Sequence, residues 1–359
     1  MSETAAPGWE TSRGPLVDEH DVVLLDLDGV VYVGPQAVPG ARETLSELRR
    51  RGVHVAFVTN NASRTPTEIA RHLTSLSIDS TADGVVTSAQ AAARLLAADL
   101  PDAARVLVVG AEGLREAVRA VGLTPVEGAD DAPAAVVQGF SPQLSWAMLD
   151  EACVAVRRGV PWIATNVDST LPTPRGPAPG NGAFVDVVAR TTGATPRVAG
   201  KPAPALLAAA VERTGAQRPL FVGDRLDTDM AGARAAGMPG LHVLTGASAT
   251  VDLLAAGRDR RPAYLAADLS GLLSEHHAPR VSADRPRWCA AGAGVRGEWD
   301  DGEGLRVDAD PPGDAQLAVE VLRVACAAVW AACDDGADVD LERARAALSR
   351  WTAPQGWDR

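Results

Sequence analysis

Hydrophobic positions in this chain fall in short continuous runs rather than in long alternating ones. Val22 to Leu25, Val53 to Val58, Arg105 to Val109, Ala134 to Gln138, Pro161 to Ala164, Pro219 to Val222 and Leu241 to Leu244 each read as a strand. Apolar runs of this length, rich in β-branched residues, suit parallel strands covered on both faces. Between them, helical spacing predicts helices over 41–51, 88–98, 114–121, 143–158 and 203–213, with Leu45 and Leu48 on the inner face of the first. Alternation of this kind implies βαβ units, a parallel sheet and right-handed crossovers, so the fold class is α/β. It occurs twice. Residues 18–84 and 194–278 read as two parts of one core, and 85–193 as an inserted α/β unit. Residues 1–17 are polar with Gly and Pro and read as a flexible lead-in.

Polar residues gather where these runs end, the edge at which open α/β sheets place their ligands. Asp26 and Asp28 follow the first strand, with Gly29 directly after them. Two carboxylates this close repel by a few kcal/mol at an intermediate dielectric, roughly, which calls for a cation. Aspartates before a glycine also cap turns, and that alternative stays open on this segment alone. The next strand ends in Thr59, Asn60, Asn61, Ala62 and Ser63, donors able to cradle a phosphate or, more plainly, to cap the helix near Pro66. Lys201 stands at a helix start in GKP, and Asp224, Asp227 and Asp229 follow the 219–222 strand, three acids in six residues as a hard-cation site would need. The stretch 165–184 carries four Pro and three Gly and reads as a long functional loop holding Asn166, Asp168, Arg175 and Asn181.

Composition narrows the partners. A net charge of −12 argues against a general nucleic-acid or membrane-surface binder. No apolar run is read as membrane-length and no leader pattern is seen at the start, so a cytoplasmic location is expected. Cys153, Cys289, Cys326 and Cys333 show no CxxC and no zinc-ligand spacing, as reduced thiols would.

Taken together, DLDGV at 26–30, VTNN at 58–61, GKP at 200–202 and GDRLDTDMAGARAAGM at 223–238 resemble in order and spacing the four motifs of the haloacid dehalogenase (HAD) superfamily. The insertion between the second and third motifs, ending in a TNxDxxxPxxxGxxPGNGA pattern, is similar to the C2-capped subfamily IIA of NagD-type nucleotidases, p-nitrophenyl phosphatases, phosphoglycolate phosphatases and glycerol-3-phosphate phosphatases. The resemblance implies a Rossmann-like core with an α/β cap and an Mg²⁺-dependent phosphatase acting through an aspartyl-phosphate. By it, Asp26 is the nucleophile and Asp28 the general acid and base. Thr59 and Lys201 handle the transferring phosphoryl group. Gly29, Asn60, Asn61, Asn166, Asp168 and Arg175 contribute to substrate or phosphate binding. Asp26, the carbonyl of Asp28 and Asp224 ligate Mg²⁺, with Asp229 behind them. An alkoxide leaving group needs the proton that Asp28 supplies, which favours monoester hydrolysis over ATP-driven transport.

A large cap favours a small phosphomonoester, glycerol 3-phosphate first and 2-phosphoglycolate or a nucleoside monophosphate behind it. Ser141 and Trp146 depart from the acid and tyrosine usual in the family's cap. Homo-oligomerisation through the cap or the C-terminal region stays open, as does a silent HAD-fold binding protein. Residues 279–359 hold five of the eight tryptophans (Trp288, Trp299, Trp330, Trp351, Trp357), the acidic turns DDGEG and DADPPGD, and helices near 315–333 and 341–351. They read as a small α+β domain, similar to the extension, likened to an acetyltransferase fold, of actinobacterial members. No acetyl-CoA pyrophosphate loop is present, so a non-catalytic role is expected, with the tryptophans in its core.

Overall fold

The computed structural model describes residues 4–173, 175–309, 315–349 and 351. Its described residues form two compact units, one within Met1–Val33, Ala37–Val55 and Gln217–Arg359, the other within Gly34–Gln36 and Ala56–Ala216. Trp357 and most of DADPPGD lie outside the described residues.

In the first unit, Val22–Leu25 lies beside Pro219–Gly223, which is followed outward by Gly240–Val243 and Tyr264–Ala266, all parallel. Val22, Val23, Leu24 and Leu25 are all buried, as a strand covered on both faces requires. The register pairs Leu25 with Val222 and the Asp26 N–H donates to the Val222 carbonyl at 2.9 Å. Asp26 and Asp224 therefore leave adjacent strands at the same edge of the sheet.

The C-terminal region of this unit is an antiparallel sheet ordered Thr4–Ala5, Arg280–Asp284, Arg287–Gly292, Val295–Asp300 and Gly304–Asp308, with the helix Ala315–Asp334 packed on it. Trp288 and Trp299 pair across strands, and both are buried with Trp330 and Trp351. The segment expected to be a flexible lead-in is built into this structure instead. Thr4–Ala5 adds an edge strand, Leu16 and Val17 are buried, and Trp9 stacks on Trp330 with ring centroids 4.9 Å apart. Those apolar residues are scattered without a period, so only long-range packing orders them. A second expectation also needs correcting, because Gln316–Asp334 has the length and composition of a membrane span. It is a core helix here. Arg323 inside it is buried, pairs with Glu320 at 2.8 Å and donates to the Leu265 carbonyl at 2.8 Å, while Arg261 grips Asp334 through two bonds of 2.7 and 2.8 Å.

The second unit holds a parallel sheet ordered Arg197–Val198, Trp162–Ala164, Ala135–Gln138, Arg105–Val109 and Thr124–Val126. Val136, Trp162 and Val109 share a core with Cys153, Val185 and Val188 from the helices Trp146–Arg157 and Asn181–Thr192. From Ala56 on, the strand His54–Thr59 belongs to this unit and pairs in parallel with Val85–Thr87. The 165–184 stretch is not one loop. Thr170–Thr173 and Gly176–Pro179 form an antiparallel hairpin, and a helix starts at Asn181. Proline and glycine in the hairpin hid its alternation.

One buried histidine makes the first unit acid-sensitive. His276 Nε2 lies 2.8 Å from the Gly271 carbonyl and Nδ1 is 3.5 Å from Arg323, with Tyr264 edge-on to the ring. Burial first, then Arg323 and His277, hold its pKa down at about 4, against the pull of the Gly271 carbonyl. The unfolded chain takes up a proton near the ordinary value of 6.5 and the folded chain does not, so the neutral-ring stability is full above that pH and lost as pH falls towards 4. Stability should fall over this window by up to roughly 3 kcal/mol from this residue, and the melting temperature with it. His276→Gln should flatten part of the slope in a pH series of melting curves. An equal slope would remove His276 from the account.

Candidate active site

Two groups of polar residues gather at strand ends, one in each unit. In the first unit Asp26, 8% exposed, is joined by Asp224 and by Asp229, which is fully buried. One carboxylate oxygen from each lies within 4.8 Å of the others. A π-helical turn, Leu226–Met230, carries Asp229 back beneath the strand end, where its Oδ2 accepts from the N–H groups of Asp224 at 3.1 Å and Arg225 at 3.0 Å. Asp224 Oδ2 accepts from Ala247 N–H at 2.6 Å. Buried carboxylates this close call for a positive charge or a shared proton between them, and an all-oxygen set suits a hard divalent cation. His242 lies on the neighbouring strand, its pKa lowered to about 4 by burial against the opposing pull of Asp229, so the ring is neutral.

Gly29 is needed for two reasons. Its φ of +84° favours glycine, and a Cβ there would lie 2.5 Å from Asp224 Oδ2. Its N–H donates to the Tyr32 carbonyl at 2.8 Å and its carbonyl accepts from Thr245 Oγ1 at 2.6 Å. Expected to bind phosphate, Gly29 instead has its amide proton engaged and makes room for Asp224. Asp28 is exposed, two residues beyond Asp26. Asp227 stands outside the cluster, paired with Arg225 at 2.8 Å; partial burial pushes its pKa up and Arg225 more than offsets that.

In the second unit Thr59 ends its strand buried, its Oγ1 accepting from Asn61 N–H at 3.1 Å. Asn61 Oδ1 closes the following turn by accepting from Ser63 N–H and Oγ, both at 2.9 Å. Lys201 is 2% exposed, with its main chain bonded to the Asn60 carboxamide. Asn60 also reaches Asp168, and Asn166 Nδ2 donates to the Asn60 carbonyl at 2.7 Å. Asn60 was expected to grip phosphate, but both of its amide protons are already engaged by protein acceptors. The structure thus brings Asn60, Asn166, Asp168 and Lys201 together. Arg175 stands exposed beside the turn of the hairpin.

Sequence reasoning passed over Ser88, whose Oγ donates to the Asn60 carbonyl at 2.6 Å. Asn181, singled out with the 165–184 stretch, donates through Nδ2 to the Asn166 carbonyl at 2.7 Å. One available signal went unused: Lys201 is the only lysine in the chain, the other 33 of its 34 Lys and Arg residues being arginine. A compact ammonium stands where a planar guanidinium was used everywhere else.

The fold and the acidic cluster define a class, and comparison with known proteins gives it a name. Residues 23–124 match the model for haloacid dehalogenase-like hydrolases, and residues 198–272 match a HAD-hydrolase-like one. The chain belongs to the haloacid dehalogenase-like hydrolases. It is 46% identical over 352 residues to D-glycerol 3-phosphate phosphatase of Mycobacterium tuberculosis, covering 94% of this chain and 95% of that one. A crystal structure of the glycerol phosphate phosphatase from that organism, in complex with magnesium, superposes with a TM-score of 0.79 at 44% identity over 94% of this chain and 99% of the other. Acid sugar phosphatase of Staphylococcus aureus is 35% identical over 259 residues, 72% of this chain and 98% of its own. The chain is a phosphatase-type hydrolase.

Divalent-cation binding should be measurable without turnover. Mg²⁺ should raise the melting temperature of the wild type, and Asp224→Asn should reduce that rise to near zero. Gly29→Ala should do the same while keeping every carboxylate, since its methyl group would displace Asp224. A full Mg²⁺ shift in Gly29→Ala would show that the close approach is unimportant.

Proposed function

We propose that this protein is an Mg²⁺-dependent phosphatase for small phosphomonoesters, with glycerol 3-phosphate as its leading substrate. The buried convergence of Asp26, Asp224 and Asp229 carries the reading. A relative with that substrate in its name, matched over nearly its whole length including the C-terminal region, supports the choice. Asp26, the Asp28 carbonyl and Asp224 would hold Mg²⁺, with Asp229 behind, and the bound cation would offset the negative charge of nucleophile and phosphate.

In this reading an Asp26 carboxylate oxygen attacks phosphorus, the ester P–O bond breaks, and its electron pair leaves on the alkoxide oxygen, which takes the Asp28 proton. Asp28, now a carboxylate, removes a proton from water. The resulting hydroxide attacks the aspartyl-phosphate, and the bond from phosphorus to Asp26 breaks to release phosphate. Thr59 donates to the phosphoryl oxygens and the Lys201 ammonium offsets their charge. Residues 85–193 form the cap that reads the leaving group, through Asn166, Asp168 and Arg175 and through the stretch containing Ser141 and Trp146, the latter 78% exposed. Residues 279–359 are non-catalytic. The net charge of −12 and four free cysteines support a cytoplasmic enzyme without nucleic-acid or membrane partners.

The test is phosphate release with Mg²⁺ from both glycerol 3-phosphate enantiomers, 2-phosphoglycolate, nucleoside monophosphates and p-nitrophenyl phosphate. Glycerol 3-phosphate should give the highest kcat/KM of the natural esters, and EDTA or Asp26→Asn should abolish release. In kcat/KM, which reports formation of the aspartyl-phosphate, Asp28→Asn should cost glycerol 3-phosphate about 10²- to 10⁴-fold and p-nitrophenyl phosphate far less, because nitrophenolate leaves without a proton, while the shared hydrolysis step lowers kcat for both. Equal losses of kcat/KM on both esters would remove Asp28 as the acid. No release from any ester would overturn the phosphatase, leaving the silent binding protein.

A further inference from the structure

Asn60 makes more polar contacts than a ligand-gripping side chain could keep. Its Oδ1 accepts from the Lys201 N–H at 2.8 Å, while Nδ2 donates to the Lys201 carbonyl at 3.0 Å and to the Asp168 carboxylate oxygens at 3.2 and 3.3 Å. The carboxamide thus meets the Lys201 main chain as the peptide of a neighbouring strand would, matching one donor and one acceptor. The Asn60 carbonyl in turn accepts from Ser88 Oγ at 2.6 Å and Asn166 Nδ2 at 2.7 Å. Three stretches distant in sequence, at 88, 166–168 and 201, therefore meet on one residue.

Gly200 shows how closely they meet. A Cβ on it would lie 2.6 Å from Asn60 Oδ1 and 2.5 Å from the Thr165 carbonyl oxygen. Such separations are far below contact distance, so a side chain at 200 would push the carboxamide away from Lys201. The glycine of GKP is thus required by this clamp rather than by its own backbone angles, since its φ is not in the left-handed region.

We propose that Asn60 is a positioning residue: its carboxamide holds the Lys201 main chain and the Asp168 carboxylate at a fixed spacing, placing the single ammonium and the leaving-group segment together. The proposal rests on the function above for what Lys201 and Asp168 do, and on the hydrogen bonds alone for what holds them. Only a primary amide fits here. Aspartate would turn an acceptor towards both the Lys201 carbonyl and Asp168, and alanine would leave both main-chain groups of Lys201 without these partners.

Because Lys201 is the only lysine, amine acetylation followed by peptide mass spectrometry reads its side chain directly, the chain's α-amine being the other target. In the wild type, burial should keep Lys201 labelling slow. Asn60→Ala should raise its rate by about 10-fold or more in a chain with unchanged circular dichroism. Gly200→Ala, which deletes no polar group, should raise it likewise. With p-nitrophenyl phosphate, Asn60→Asp should lose kcat by about 30-fold or more at pH 8. Its ratio to the wild type should recover as pH falls towards about 5, because a protonated carboxyl again sets a donor beside an acceptor. General damage to the fold would give no acid-dependent recovery. Labelling within twofold of wild type in both Ala variants, or a pH-independent ratio, would overturn the clamp. If the wild type releases no phosphate, the proposed function fails by itself and the labelling rates still decide the clamp.

Discussion

Three carboxylates buried within reach of one another are the constraint around which the first unit is arranged. Desolvation and mutual repulsion both oppose their ionised forms, so the arrangement is stable only with positive charge or protons among them. Every nearby feature follows from this. The Leu25 and Val222 register sets two acids side by side, and the Leu226–Met230 turn folds a third beneath them. Backbone N–H groups of Asp224, Arg225 and Ala247 point at their oxygens. Glycine at 29 leaves the space that Asp224 occupies. These contacts fix the positions of the oxygens, as coordination of a hard cation requires.

The second unit meets a different constraint: one buried lysine must be presented without floppiness. Lysine is a flexible point charge, and fixing its main chain leaves only its own four-carbon stem to order. Asn60 does this with a group that is neutral, planar and bifunctional, so no further charge is buried beside the ammonium.

The C-terminal region is a structural continuation of the first unit rather than a loosely tethered addition. Arg261 joins Asp334 in a two-bond ion pair while its guanidinium lies 4.8 Å from the Trp330 ring centroid, and Trp9 stacks on the same indole. Removing the segment that holds Trp9 would therefore expose the Trp330 indole on which it stacks. The tryptophans Trp288, Trp299, Trp330 and Trp351 lie in this core, as expected for residues whose area is worth more buried than displayed.

Much of this was legible in the chain itself. Continuous apolar runs with acids at their ends specify a parallel α/β sheet and a candidate cation site, because strand burial and strand-end chemistry are local properties of sequence, and the order of four short motifs added the phosphatase by resemblance. The Pro- and Gly-rich stretch at 165–184 misled for the same reason: its composition signals turns, and the pairing that makes a hairpin is a relation between strands. Tertiary structure alone decided that Asp227 pairs with Arg225 outside the cluster, that the Asn60 carboxamide meets the Lys201 main chain, and that Leu16, Val17 and Trp9 of the N-terminal segment are buried. Each depends on contacts between residues far apart in the chain or on the direction a side chain takes within a turn, and neither is written in spacing or composition.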